Sequence, residues 1–137
     1  MEIRDVVWKN LEELSLFRKE LIDVYPKNGT VHIKCFTSQV GIPDGTTHFF
    51  MQIEQTHEGK IAYLVFIELD EDKRGVGLGE KMYKSVENIA RELGCDILRQ
   101  TASGWTVRGE PRKNYLERKL GYKKINDVEV EKVLNKT

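Results

Sequence analysis

Apolar residues recur at helical spacing near the start of the chain. Asn10 and Glu13 have the spacing of a capping box, and apolar or aromatic residues lie beyond Asn10 at roughly helical intervals: Leu11, Leu14, Leu21 and Tyr25. Pro26 disfavours helical geometry at the residue before it, and residues 27–30 have the composition of a turn. The pattern predicts a core-facing amphipathic helix in an N-terminal helical region, residues 1–30.

The pattern changes to that of β-strands after this region. Residues 31–36 alternate apolar and polar side chains, residues 48–55 are aromatic and β-branched, and residues 57–60 have the composition of a hairpin connection. A loop at residues 41–45 separates the first two stretches. Residues 61–69 form an almost unbroken apolar run, which is typical of a central strand covered on both faces.

Apolar positions then return to helical spacing. Five of them fall on one face of a helix that ends at Gly94: Leu78, Met82, Val86, Ile89 and Leu93. Residues 95–101 follow as a strand, and a helix from about Pro111 to Leu120 stops at Gly121.

A closing hairpin over residues 122–134 completes a mixed α/β pattern that has no repeats and no linkers. The whole chain, residues 1–137, is therefore predicted to be one domain, with the sheet, the central loop and the hairpin in residues 31–134. A domain of 137 residues buries enough surface to fold without disulfides.

Charge and cysteine usage narrow the functional classes. The 22 basic and 22 acidic residues give a formal net charge of +0, which argues against a general nucleic-acid binder. Cys35 and Cys95 form no CxxC pair and the histidines show no metal-ligand spacing, so no metal is expected. No apolar run approaches the ~18 residues of a membrane span and no signal peptide is recognised, so we expect a cytoplasmic protein.

Candidate chemistry is concentrated between the central strand and the next helix, in residues 70–79. The glycines Gly75, Gly77 and Gly79 stand at alternate positions, so several backbone N–H groups are free to converge on one ligand. They precede a helix, whose N-terminus attracts anions through unpaired amides and the helix dipole. The segment is typical of a phosphate or pyrophosphate site, although a glycine-rich packing turn has the same composition.

Two nucleotide-binding motifs fit this segment poorly. A P-loop requires Gly-Lys-Ser/Thr, whereas Glu80 and Lys81 follow Gly79. The dinucleotide fingerprint GxGxxG needs its third glycine where Glu80 stands, and it opens a parallel βαβ unit, whereas strands and a hairpin precede the segment here.

The segment resembles instead the cofactor loop of the GNAT superfamily of N-acetyltransferases. Residues 74–79, Arg-Gly-Val-Gly-Leu-Gly, fit the family signature Arg/Gln-x-x-Gly-x-Gly/Ala, and residues 116–122, Leu-Glu-Arg-Lys-Leu-Gly-Tyr, resemble its Phe-Tyr-Glu-Lys-Leu-Gly-Phe ending. The order of elements is similar over about residues 30–134. The resemblance implies a mixed α/β fold, in which helices flank a mostly antiparallel central sheet with a V-shaped splay between its two central strands.

The resemblance also implies a reaction. Acetyl-CoA would give its acetyl group to a primary amine by direct attack in a ternary complex, with no metal and no acyl-enzyme. The backbone of Ile67 and Leu69 would pair with the pantetheine arm, and the Ile67 N–H would lie near the acetyl oxygen. The loop would hold the pyrophosphate through six residues: Arg74, Gly75, Val76, Gly77, Leu78 and Gly79.

The acid that protonates the leaving thiolate has two candidates. The family's tyrosine falls four residues before the glycine of the ending, which here is Glu117, whereas a tyrosine stands two residues earlier, at Tyr115. Two residues correspond to about 200° on a helix, so Tyr115 and Glu117 do not face the same slot. It is equally compatible with the sequence that Tyr115 packs in the core and that Glu117 is an exposed partner of Arg118 or Lys113.

Several candidates exist for the base that keeps the amine neutral. The family position for a glutamate on the central strand is Tyr63 here, and strict alternation points Glu68 to the other face from both Tyr63 and Ile67. Glu54 on the preceding strand is a further candidate, and a relay of the proton through water needs no side-chain base. The family's pantetheine-binding asparagine would fall at about Glu110, a further departure.

Two features bear on the partner, which we expect to be an amine, either a small molecule or a protein amine. Trp105 is a candidate for lining the acceptor pocket or for capping the core. A basic cluster is available for CoA phosphates, for an anionic partner or simply for solvation: Arg112, Lys113, Arg118, Lys119, Lys123 and Lys124.

Two other functions compete with the enzyme. One is a catalytically inactive CoA-binding or regulatory module of the same fold, and the other is a nucleic-acid adaptor that uses the basic last helix. Domains of this family often dimerise, so a homodimer is compatible with either an enzyme or a module.

Overall fold

One sheet and three helices make up the part of the chain that this computed structural model describes, residues 2–36, 48–68, 77–106 and 108–134. The helices are α1 (Ile3–Leu11), α2 (Leu78–Glu92) and α3 (Arg112–Leu120). The strands are β1 (Ile22–Lys27), β2 (Thr30–Phe36), β3 (His48–Thr56), β4 (Gly59–Glu68), β5 (Ile97–Thr101), β6 (Lys123–Lys124) and β7 (Glu129–Val133). None of the described helices is long and apolar enough to cross a membrane.

The sheet has the strand order β1-β2-β3-β4-β5-β7-β6. Neighbouring strands pair antiparallel except β4 and β5, which are parallel and are joined through α2. A parallel pair needs such a crossover, because a tight turn cannot return the chain to the same end of the sheet. The order confirms the predicted mixed, mostly antiparallel sheet with flanking helices.

The two central strands separate after a short paired stretch. Residues 61–64 of β4 pair with residues 97–100 of β5, whereas β4 stays paired with β3 as far as Glu68. The strands therefore part beyond Leu64, as expected for a V-shaped splay. One edge of β4, residues 65–68, has no strand neighbour on that side among the described residues.

A continuous apolar core lies between the helices and one face of the sheet. It contains the apolar stripe of α2, as the helical spacing predicted. The largest buried side chains from the sheet and from the helices include Ile33, Phe49, Met51, Leu98, Leu11, Met82, Ile89 and Leu116. The opposite face of the sheet carries aromatic rings that stack along β1, β2 and β3: Tyr25, His32 and Phe50.

A β-bulge interrupts β4 at Val65. Met51 of β3 pairs with Leu64 and Phe50 pairs with Phe66, so Val65 has no opposite residue. Val65 and Phe66 are exposed. The continuous apolar run predicted a strand covered on both faces, and for these two residues that prediction is wrong, because the described helices pack against one face only.

The bulge reverses the alternation of side chains beyond it. Ala62 and Leu64 lie in the core, and the partly buried Ile67, which strict alternation would have placed on the other face, packs against it. Glu68 consequently comes to the same face as Tyr63. The prediction that Glu68 points away from Ile67 is correct, and the prediction that it points away from Tyr63 is wrong, because strict alternation assumes an uninterrupted strand.

The N-terminal helix occupies different residues from those predicted. α1 ends at Leu11, where the predicted helix begins, and Asn10 lies inside it, with its side-chain amide donating to the Val6 carbonyl at 2.9 Å. Residues 22–27 form β1, so the predicted helical region of residues 1–30 is wrong there. The reason is the Asn28–Gly29 turn, where both φ angles are positive. A two-residue turn of this kind closes a tight hairpin and forces extended flanks.

Two phenylalanines on opposite faces of the sheet test where the core lies. Phe49 is 1% exposed and meets the Phe17 ring edge-on, with centroids 5.7 Å apart, whereas Phe66 is 43% exposed. We expect Phe49→Ala to lower the free energy of unfolding by roughly 3–5 kcal/mol and Phe66→Ala by about 1 kcal/mol or less. Urea denaturation followed by circular dichroism measures both, and equal losses would contradict the assignment of faces.

Candidate active site

A cavity of about 640 Å³ opens where β4 and β5 part. Its lining comes from three places in the chain: the end of β4, the first turns of α2, and the segment that leads from β5 through α3. The sequence elements that carry the candidate chemistry therefore meet in one concave site. Such a site, with polar groups converging from several elements, is the usual setting for catalysis or ligand binding.

The free edge of β4 contributes one wall. Ile67 and Glu68 line the cavity, in the part of β4 that has no neighbour on β5. Backbone N–H and C=O groups without a strand partner must be satisfied by water or by a ligand. This wall suits an extended ligand that pairs with the strand. Leu69, the other residue predicted to pair with pantetheine, lies outside the described residues.

The N-terminus of α2 opens into the same cavity. Gly77 is the N-cap, with φ +82°, and no side chain in the described part of the chain caps the helix. The N–H groups of a first helical turn attract an anion. A Cβ atom at Gly77 would meet nothing within 4 Å, which leaves room for a ligand. Gly77 and Gly79 line the cavity, with Leu78 between them as the first helical residue. Three other predicted loop residues lie outside the described residues: Arg74, Gly75 and Val76.

The two candidate acids have different surroundings on α3. Tyr115 lines the cavity, whereas Glu117 is not part of its lining. The Glu117 carboxylate is 51% exposed and pairs with the Lys124 ammonium group at 3.7 Å. The helix thus brings Tyr115 to the site and directs Glu117 elsewhere, as the two-residue separation requires.

The environment of Tyr115 keeps its phenol protonated. Burial raises the pKa of Tyr115 above the ordinary value of 10.0, the Glu80 and Glu110 carboxylates raise it further, and the Arg118 guanidinium lowers it. A phenol with a raised pKa is neutral at physiological pH and carries a proton that it can donate. The Tyr115 side chain therefore lines the cavity with a proton that it can donate.

Tyr83 is a second tyrosine in the site, and sequence reasoning missed it. It is 8% exposed and lines the cavity, four residues after Gly79 on the same face of α2. Burial raises its pKa, and the Arg112 guanidinium opposes that shift. The spacing of four residues between Gly79 and Tyr83 could have indicated that Tyr83 lies on the same helix face as the glycine loop. A tyrosine on the apolar face of a helix explains the same spacing equally well.

Glu110 stands where the family asparagine was expected and makes an ion pair instead. Its carboxylate accepts two hydrogen bonds from the Arg118 guanidinium, at 2.8 and 3.1 Å, and both residues line the cavity. Within the basic cluster, Arg112 and Lys119 also line the cavity, whereas Lys113 donates to the Asp127 carbonyl at 3.0 Å. The cluster is therefore divided between the site and the surface.

Glu68 is the candidate base that the structure places in the cavity. The bulge at Val65 gives it this orientation, at the open end of β4. Glu54 is exposed and does not contribute to the cavity lining. Of these two candidate carboxylates on β3 and β4, only Glu68 is in a position to accept a proton within the site.

Neither cysteine has the properties of a nucleophile. Cys35 and Cys95 are buried and are not in a disulfide. Burial raises the pKa of both thiols, that of Cys95 to about 11, so little thiolate is present at neutral pH. Neither residue lines the cavity. The described residues also contain no group of three or more side chains that could hold a metal ion.

Comparison with known proteins agrees with this geometry. The family model described as the Acetyltransferase (GNAT) family matches residues 23–122 of the chain. The chain belongs to the GNAT family. Acyl transfer from an acyl-CoA is the general reaction that this membership supports.

Two solved structures illustrate the likeness of the GNAT domain to others. A proposed acyl-CoA N-acyltransferase from Klebsiella pneumoniae is 20% identical, with a TM-score of 0.51, over 96% of this chain and 88% of that chain. Gcn5 from Tetrahymena is 12% identical, with a TM-score of 0.44, over 97% of this chain and 84% of that chain. No curated protein sequence matches the chain. The first likeness concerns the fold alone.

Replacing Gly77 or Gly79 at the start of α2 by alanine should affect the stability of the protein differently. Gly77 has a left-handed φ that costs an L residue about 1–2 kcal/mol, so Gly77→Ala should destabilise the protein. Gly79 lies inside the helix without a positive φ, so Gly79→Ala should leave stability unchanged or raise it by up to about 1 kcal/mol. Urea denaturation of the two variants distinguishes the cap from the helix, and a loss of stability in Gly79→Ala would contradict this assignment.

Proposed function

We propose that the protein is an acetyl-CoA-dependent N-acetyltransferase, which transfers the acetyl group to a primary amine by direct attack in a ternary complex. Family membership supports acyl transfer in general. The observation that carries the proposal is one cavity that is lined both by the stretch of β4 beyond its pairing with β5 and by the N-terminus of α2. An extended amide-containing arm with a pyrophosphate at one end fits these two features together.

The proposed cofactor site follows from that juxtaposition. The backbone at Ile67 and Leu69 pairs with the two amides of the pantetheine arm, since amide groups satisfy a free strand edge. The N–H groups of residues 74–79 hold the pyrophosphate at the helix N-terminus. The Ile67 N–H stabilises the negative charge that develops on the acetyl oxygen. Lys119 and Arg112 line the same cavity and offer charge to the phosphates.

The thioester of acetyl-CoA supplies the activated acyl group, and the protein has to manage two protons. In the proposed reaction the amine nitrogen bonds to the acetyl carbon and the carbon–sulfur bond breaks. Tyr115 gives its phenolic proton to the departing sulfur. Glu68, directly or through water, takes the proton that the amine loses. The buried thiols of Cys35 and Cys95 take no part.

Several finer points remain predictions. The acetyl group rather than a longer acyl group, the cytoplasmic location and the absence of a nucleic-acid partner belong to the proposal, and a homodimer is compatible with it. The catalytically inactive CoA-binding module is its competitor, and turnover separates the two.

Binding of acetyl-CoA is the first test. At ~100 times its Kd, a ligand that binds only the folded state stabilises it by about 2.7 kcal/mol, so the unfolding temperature should rise by several degrees. Gly79→Glu adds negative charge within the helix N-terminus and should abolish the rise without unfolding the protein. Differential scanning fluorimetry with and without acetyl-CoA measures this shift in the unfolding temperature for the wild type and the variant. No shift at millimolar acetyl-CoA in the wild type would refute the proposal, and binding without CoA release across a broad amine panel would favour the inactive module.

Tyr115→Phe tests the acid. Loss of the phenolic proton should lower kcat by about 10²-fold or more while acetyl-CoA still binds. Because burial raises the pKa of Tyr115, its donor form persists around neutral pH, and no fall in kcat with rising pH is expected from this group there. Glu117→Gln is the matched control on the same helix and should leave kcat unchanged. Steady-state release of CoA thiol measures both variants, and the opposite ranking would identify Glu117 as the acid.

A further inference from the structure

Trp105 presents an indole to the cavity without a partner of its own. It lines the cavity and is 68% exposed. Among the described residues, no other ring stacks on it, no cation lies over it and no hydrogen bond reaches its ring nitrogen. Isolated apolar residues on a convex surface need no explanation, but a wide aromatic surface on the wall of a concave site is a ready contact for a ligand.

The backbone beneath Trp105 is held in a small hairpin, here called the Trp105 hairpin, whose described residues are 104–106 and 108–111. Trp105 forms an antiparallel bridge with Pro111. The Thr106 N–H donates to the Glu110 carbonyl at 2.7 Å, and the Gly109 N–H donates to the Thr106 carbonyl at 3.0 Å. Gly104 and Gly109 have positive φ and close the bends. The attachment point of the indole is therefore fixed before any ligand binds, which reduces the entropic cost of binding.

The Trp105 hairpin is also fixed to the helix that carries Tyr115. The Tyr115 N–H donates to the Pro111 carbonyl at 3.1 Å, and Pro111 is the bridge partner of Trp105. The Arg118 guanidinium holds the Glu110 carboxylate through two hydrogen bonds. A group resting on the indole is thus held at a set position relative to the Tyr115 phenol.

The chain order separates the indole from the proposed cofactor wall. The free strand edge and the helix N-terminus belong to β4 and α2, whereas the Trp105 hairpin follows β5, the other arm of the V. In the proposed complex, the cofactor meets the β5 side through Tyr115, Arg112 and Lys119 of α3, which leaves the Trp105 hairpin before that helix for the second substrate. The indole therefore faces the acceptor.

Charge in the cavity favours a cationic acceptor once the cofactor is bound. The described lining has four cationic and three acidic side chains: Arg108, Arg112, Arg118, Lys119, Glu68, Glu80 and Glu110. The negative charge of the acetyl-CoA phosphates would make the net charge of the occupied cavity negative. An ammonium group is then attracted towards the acidic lining, which includes Glu68, while an aromatic ring stacks on the indole.

We propose that Trp105 selects the acceptor, and that the acceptor is a primary amine with an aromatic ring, or a similarly flat apolar group, close to its amino group. This inference rests on the proposed function. It assigns Trp105 a contact with the acceptor and not with the adenine of the cofactor.

The test compares two amines that differ in the ring, 2-phenylethylamine and butylamine. In the wild type, kcat/KM for 2-phenylethylamine should exceed that for butylamine by about tenfold. Trp105→Ala should remove this preference by raising KM for the aromatic amine while KM for acetyl-CoA stays the same, and Trp105→Phe should keep most of it. Ile125 is an exposed apolar residue outside the cavity lining. Ile125→Ala is therefore the control, and it should change neither the kcat/KM preference for the aromatic amine nor the KM for acetyl-CoA.

The kinetic outcomes distinguish the two proposals. If the ratio of kcat/KM for the two amines is the same in the wild type and in Trp105→Ala, the inference is overturned and the proposed acetyltransferase activity is unaffected. A rise in KM for acetyl-CoA alone would place the indole on the cofactor, which also overturns it. A wild type that fails to bind acetyl-CoA would refute the proposed function itself.

A binding measurement tests the contact between Trp105 and the acceptor even if the protein shows no turnover. In Trp8→Phe, Trp105 is the only tryptophan, so its fluorescence reports on its surroundings. With CoA bound, titration with 2-phenylethylamine should change the fluorescence saturably and butylamine should do so at least about tenfold more weakly. No change with either amine, or a response to CoA alone, would overturn the inference.

Discussion

The early end of the pairing between β4 and β5 is the constraint on which the rest of the site depends. Buried backbone groups that lose a strand neighbour must find another partner. Here β5 leaves β4 after Leu64, while β4 stays paired with β3, across the bulge at Val65, as far as Glu68. The sheet is thereby rigid on one side and open on the other, so it offers the hydrogen-bonding edge of a strand without the freedom of a loop.

The bulge at Val65 lies at this same point, and it decides which side chains the opening receives. Without it, Ile67 would leave the core and Glu68 would enter it, which would bury a carboxylate at a high cost in free energy. With it, Ile67 packs against the core, and Glu68, which lines the cavity together with Ile67, stays on the other face. One inserted residue thus keeps the carboxylate out of the core and leaves it available for the proposed role of proton acceptor.

Long periodic stretches of the chain were predictable, and single-residue events were not. The stripe of α2 and the stop at Gly121 follow from repeated spacing and from one left-handed φ, and both stand in the structure. The residues of β1 were misassigned because apolar spacing competed with the Asn28–Gly29 turn, and the turn prevails. Within the site, the residue types were visible, but the choice between Tyr115 and Glu117 needed the rotation of α3 about its axis. Packing sets that rotation, and no motif encodes it.

The site combines two rigid units that belong to different parts of the chain. β4 and the start of α2 form the proposed cofactor wall, and the Trp105 hairpin forms the proposed acceptor wall. The hairpin is joined to α3, which Leu116 anchors in the core and which carries Tyr115 between the two walls. Since Tyr115 and Trp105 are both tied to Pro111, the acid and the acceptor contact move together. The distance between the two walls is then set by the paired stretch of β4 and β5 before Leu64. In the proposed reaction, the sheet and not a flexible loop therefore fixes the separation between the acyl group and the amine.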